Sequence, residues 1–178
     1  YLAPGLGIAG ANLERDLARH AIFGLGDLWR AAGHDVAIVY GPDSIPDADL
    51  HILHVDLTIV PPAYRAAVAR LPRVINGAAF DISKRRVSRN LLKPGDSWPG
   101  KVIVKSDLNC WGWPEWRAHK AGAYPPVPYP VGPRIVAGLA EVPDEIWSSP
   151  HFVVEPWLGE LVEGRFAIRH WIFLGERE

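Results

Sequence analysis

The 178-residue sequence contains no methionine and a single cysteine, Cys110. One cysteine excludes an intrachain disulfide and makes a reducing cytoplasm the expected compartment. Methionine is missing even at position 1, which predicts that the natural chain is longer than these residues. No apolar stretch approaches the roughly 20 residues needed to cross a bilayer. The opening YLAPGLGIAGA lacks the basic start of a signal peptide. A formal net charge of −1 argues against a nucleic-acid or membrane-surface partner. G-x-S-x-G, H-E-x-x-H and a cysteine with a marked histidine partner are also lacking. No side chain therefore stands out as a covalent nucleophile, and Cys110 receives no chemistry.

What is present is enough for a core, since 48% of the residues are hydrophobic. Apolar positions from Leu13 to Trp29 fall near helical spacing and predict a helix over 12–32, closed by Gly33. Strands are expected over 35–40, 50–55 and 74–76, with a helix over 63–70 started by Pro61. Alternation of strand and helix implies an α/β leading domain, residues 1–75, with a small parallel sheet. Residues 76–178 form the second expected domain, of α+β character. His51, His54 and Asp56 raise the question of a metal, but on a strand at most two of them converge, so histidines of the core or sheet end are the better reading.

In the second part, DISKRRVSRNLL predicts a helix over 81–92 with Asp81 as N-cap. Lys84, Arg85, Arg86 and Arg89 crowd its polar faces, the ordinary pattern of a solvated basic surface. The segment KVIVKSDLNCWG, 101–112, is an apolar strand that ends on Lys105 and opens into a loop of small and polar residues. Such an arrangement can bring one fixed positive charge to a polyphosphate while loop N–H groups approach its oxygens. A lysine at a strand end also commonly just meets solvent. Asn109 and Gly112 suit unusual backbone angles, and the loop 106–112 is expected to fold over phosphates as a small lid.

Residues 113–133, rich in tryptophan, tyrosine and proline, read as an extended excursion that acts as a lid or wraps over a neighbouring helix. A short helix is expected over 134–139. Phe152-Val-Val-Glu155 is a strand that runs into Pro156-Trp157-Leu158. A strand that leaves its sheet at a proline exposes backbone groups, and adenine needs such groups at its edge with apolar faces above and below. FAIRHWIF, 166–173, is a further expected strand.

Taken together, DISK, the V-I-V-K strand and VVEPWLGE resemble the ATP-grasp family, in the same order, from about Arg73 onward. The resemblance implies an ATP-dependent carboxylate–amine ligase like glutathione synthetase or the ligases that modify ribosomal protein S6. It implies Lys84 and Lys105 on the phosphates, with Asn109 and Gly112 in the loop above them. It also implies Glu155, Trp157 and Leu158 as the adenine hinge, and Glu160 or Glu163 on the ribose. Arg169 would face the acyl-phosphate or the substrate, with Arg165 in reserve. ATP and Mg²⁺ are the implied cofactors, but the family's acidic metal-binding strand would fall beyond Glu178. A small-molecule or peptide carboxylate is the implied substrate, and the tryptophans at 98, 111, 113 and 116 leave a homo-oligomer open. Two alternatives remain at this point: a small-molecule kinase of the same fold, and a non-catalytic module that binds nucleotide or a partner. A phosphorylated hydroxyl product would mark the first, and binding without turnover the second.

Overall fold

The computed structural model describes residues 21–167 as a mixture of helices and small sheets. The first element of the described residues is helix α1, Ala21–Ala31, and the part of the expected helix before residue 21 lies outside them. Gly33, at φ 91°, closes it: its N–H reaches the Arg30 carbonyl, and the His34 N–H reaches that of Trp29. This is the expected glycine cap. The segment 35–40 is not a strand, although its apolar run has the right composition. A strand needs a partner ladder, and no β-ladder among the described residues includes this segment.

Strand β1, His51–Ile52, lies parallel to β2, Val74–Ile75, with helix α2, Pro62–Val68, between them. Proline fits the helix start because its missing N–H has no intrahelical partner there, and Tyr64 and Ala67 form the buried side of the helix. Both strands are shorter than expected. Asn76 takes φ 62° and so ends the second.

The expected helix over 81–92 contracts to α3, Lys84–Val87. Asp81 is not its cap. Its carboxylate accepts the Ser83 N–H at 2.9 Å, and its backbone bridges antiparallel to Ile59. A side chain that satisfies a nearby N–H holds the backbone out of a helix. Ser88, extended at ψ 138°, stops the helix at its other end.

The main sheet has three antiparallel strands in the order β4-β3-β5: β3 is Val102–Ser106, β4 Arg134–Val136 and β5 Phe152–Pro156. Arg134–Val136 was expected to be helical. Its β-branched pair Ile135-Val136 instead completes the ladder, with Val102 opposite Val136 and Ile103 opposite Ile135. Alternation along β3 sends Val102 and Val104 to one face, where they meet Val136, Val142 and Val154 in the core. Leu92, Trp98, Ile146 and Trp147 pack around this cluster. Val102 is fully buried, and burying one such side chain contributes about 1.5–2 kcal/mol. The opposite face receives Ile103 and Lys105.

Trp113–Lys120 forms helix α4 and not an extended excursion. Pro114 is tolerated because it stands in the first turn. The proline-rich stretch that follows has no regular structure, but it wraps back as expected. Tyr129 meets Trp113 and Trp116 edge-on, with ring centroids 5.7 and 5.3 Å away. Helix α5, Asp144–Ser148, then leads into β5. Strands β6, Glu160–Val162, and β7, Arg165–Ala167, close a hairpin through Glu163 and Gly164. Both turn residues have positive φ, 52° and 75°, as a two-residue turn between twisted strands demands.

Hydrogen bonds cross the expected boundary at residues 75–76. The Val60 N–H donates to Phe80 O, the Ile82 N–H to Thr58 O, and the Asn109 N–H to Thr58 Oγ1. No helix among the described residues is long and apolar enough to cross a membrane.

Candidate functional site

The V-x-V-K strand is the centre of its sheet, and the expected hinge strand is its direct neighbour. Lys105 stands opposite Val153, and Glu155 opposite Ile103. Period-two alternation puts Lys105 and Glu155 on the same face, away from the valine core. Their side chains meet in an ion pair, Nζ to Oε2 at 2.7 Å, with Lys105 25% and Glu155 12% exposed. The other Glu155 oxygen, Oε1, is buried without a partner.

Lys84, the first residue of α3, comes from a separate segment to the end of the same strand. Its ammonium donates to the Leu108 carbonyl at 2.6 Å. Burial pulls the Lys84 pKa below 10.5, and repulsion from the Lys105 charge adds to it; Asp107 and Glu155 pull the other way. The two lysines expected to share a polyphosphate are thus close enough to feel each other. Converging cations that repel in the free protein gain when an anion comes between them.

The loop 106–112 is not a free lid. Asp107 is buried, and Asn109 is pinned by its N–H to Thr58 Oγ1 at 2.7 Å. Asn109, Cys110, Trp111 and Gly112 form a 3₁₀ turn. Gly112 is left-handed at φ 88°, as foreseen, but the other left-handed residues are Cys110 and Trp111, at φ 44° and 63°, and not Asn109. Non-glycine residues there store strain of order 1–3 kcal/mol each. The loop keeps this shape because Thr58, in the leading part, accepts the Asn109 N–H, and Glu115, just past the loop, holds Thr58 in turn. Glu115, with no exposed surface, accepts the Thr58 N–H on Oε1 at 2.5 Å and leaves Oε2 buried and unpartnered. Cys110 is no activated thiol: burial raises its pKa, and the carboxylates of Asp56 and Glu115 raise it further.

The hinge differs from expectation in one respect. Trp157 does not offer its N–H to a ligand, because that group donates to the Lys101 carbonyl at 2.9 Å and lengthens the β3–β5 ladder. Its indole lies over Gly159, close enough to exclude any Cβ there, and meets Phe166 edge-on at 5.2 Å. Leu158 beside it is 64% exposed. Glu160 begins β6, opposite Ala167, and stands next to the hinge. Glu163 occupies the far turn, about 10 Å along the strand by its rise per residue. Arg169 lies outside the described residues.

Lys84, Lys105 and Glu155 are therefore brought together, Asn109 and Gly112 are held in a fixed turn, and Trp157 and Leu158 continue from Glu155. Sequence reasoning missed Asp107, Arg85, Thr58 and Glu115. Asp107 had a local signal, a second charged residue two places beyond the strand lysine. Thr58 and Glu115 had none, since 57 residues separate them. Among the described residues no three His, Cys, Asp or Glu side chains come together as metal donors. The chain matches no family model, no curated protein and no solved structure.

Proposed function

We propose that this chain binds ATP on the Lys105 face of the central sheet, as part of an ATP-grasp-type ligase that joins a carboxylate to an amine. The observation that carries this reading is the Lys105–Glu155 ion pair on the sheet face turned away from the core, with Lys84, bonded to the Leu108 carbonyl, near enough for both charges to act on it. In this reading, Lys84 and Lys105 hold the phosphates. Lys105 exchanges its Glu155 partner for a phosphate oxygen, and the unpartnered Oε1 of Glu155 takes a donor from the base. Trp157 and Leu158 supply the apolar wall for adenine. Glu160 takes the ribose hydroxyls in preference to Glu163, whose place in the hairpin turn already accounts for it.

The reaction follows from the charges. An oxygen of the substrate carboxylate attacks the γ-phosphorus, ADP departs, and an amine displaces phosphate from the acyl carbon. Catalysis of this kind is mainly positioning and charge neutralisation. Bound Mg²⁺ would offset charge on the transferred phosphoryl group. The described residues offer it no donor set, and the roles given to Lys84 and Lys105 do not depend on it. The substrate class is a small-molecule or peptide carboxylate, with Arg169 assigned to it.

Hydroxylamine trapping tests the proposal. The protein, MgATP and a panel of carboxylates should yield an acyl hydroxamate with stoichiometric ADP. A stable phosphorylated alcohol would make it a kinase, and ATP binding with neither product a binding module.

A further inference from the structure

Asp107 is more than a loop residue after the strand lysine. Only 8% exposed, it is bonded on every side. Its carbonyl accepts the Lys84 N–H at 3.0 Å, and its own N–H donates to His151 O at 2.9 Å. Its Oδ1 accepts the Arg85 N–H at 2.8 Å, while Oδ2 faces Arg85 Nε at 3.4 Å. The Arg85 fork extends further, with Nη2 donating to the carbonyls of Ser149 at 2.7 Å and Phe152 at 2.6 Å. Helix α3 is therefore tied at its first two residues to the end of β3 and the start of β5.

We propose that Asp107 and Arg85 are a positioning pair that fixes the Lys84 ammonium beside Lys105, at the spacing a polyphosphate requires. The proposal rests on the nucleotide reading of this sheet face. Neither residue touches the phosphates. The rigid guanidinium fork suits the task, because one side chain locks a carboxylate and two carbonyls in a single plane. Without the tether, two like charges that repel each other would move apart into solvent. The Leu108 carbonyl, one residue along, then receives Lys84 Nζ at its fixed place.

The test reads Lys84 directly. In the intact protein, acylation of Lys84 by an amine-reactive reagent is followed against pH by peptide mass spectrometry, with exposed Lys93 as internal reference. Lys84 is faced by Lys105, Asp107, Glu155 and Cys110, and it titrates below 10.5. If Asp107 positions it, Asp107→Ala releases Lys84 to solvent and its midpoint rises toward 10.5. Asp107→Asn, which keeps an acceptor for the Arg85 N–H, leaves the midpoint low. If Asp107 is only a nearby negative charge, both variants lower the midpoint further, and the proposal is overturned. Arg85→Lys, which keeps the positive charge of a half-exposed side chain and removes only the fork that reaches the carboxylate and the two carbonyls, decides the same question should Asp107→Ala not fold: a rise supports positioning, no change refutes it.

A second arm uses ligand. Asp107→Ala and Arg85→Lys should weaken ATP about tenfold and leave adenosine unchanged. Equal weakening of both ligands would mean general damage and would overturn the proposal. Wild-type protein that binds neither ligand would sink the nucleotide reading alone, with Lys84 labelling still deciding whether Asp107 and Arg85 position the lysine.

Discussion

Lys105 and Glu155 are ion-paired at 2.7 Å although neither is the other's cross-strand partner. Lys105 faces Val153 and Glu155 faces Ile103, so the pair runs diagonally across one face of β3 and β5. A long lysine stem spans that diagonal. In the proposed ATP site, the same contact would hold the charge of Lys105 in place until a phosphate replaced it.

Glu155→Gln should lower the unfolding free energy by about 1–3 kcal/mol, because it leaves Lys105 without its counter-charge in a largely buried site. Urea unfolding of this variant beside Glu163→Gln checks it. Glu163 is exposed in a hairpin turn, and its substitution should change stability by less than about 0.5 kcal/mol.

Gly159→Ala should displace the Trp157 indole, since a Cβ at that position runs into the ring. In the proposed site this moves the adenine wall and leaves Lys84 and Lys105 in place. Adenosine and ATP should therefore weaken together, about threefold to tenfold. Loss of ATP affinity with adenosine unaffected would place Trp157 outside the base site.

Lys84 sets a pH dependence whose sign is fixed. Its pKa is lowered, first by burial and then by Lys105, so the unfolded chain holds that proton more tightly. Its contribution to stability is fully present above 10.5 and is lost as pH falls through the lowered folded value. Lys84→Met removes this dependence. Compared from pH 7 to 10.5, the wild type should gain on the variant as pH rises, measured by chemical unfolding at each pH.

Asp81 works in the opposite range. The hydrogen bond from Ser83 holds its carboxyl below 3.8, with Arg86 and Arg65 adding to it against the cost of burial. Its stabilising contribution is complete above 3.8 and disappears as pH falls through the lower folded value. Asp81→Asn should be less stable than wild type at neutral pH and equal to it once the carboxyl is protonated. A difference that persists in acid would assign the effect to packing.

The parts of the site that were legible in the sequence are those written locally. Three consecutive β-branched residues before Lys105 mark β3, Phe152-Val-Val-Glu155 marks β5, and Gly33 marks the end of α1. Positions decided by distant partners were not legible. Residues 35–40 have a strand's composition without a ladder to join, and Arg134–Val136 is a strand only because β3 is there to pair with it. Local chemistry misled in two places. Asp81 looks like a helix cap but spends its carboxylate on an Asx turn, and the tryptophans and proline of 113–116 hide a helix whose proline sits harmlessly in the first turn. The loop 106–112 looked free because its anchors, Thr58 and Glu115, stand far from it or past its end in sequence.

Calorimetric titration of wild type and Lys105→Ala with ATP and with adenosine tests the central claim most directly. The account predicts saturable ATP binding by the wild type, weakened about tenfold or more in the variant, with adenosine affinity unchanged. Equal ATP affinity in the two proteins would contradict it, and the sheet face carrying Lys105 would not be a phosphate site.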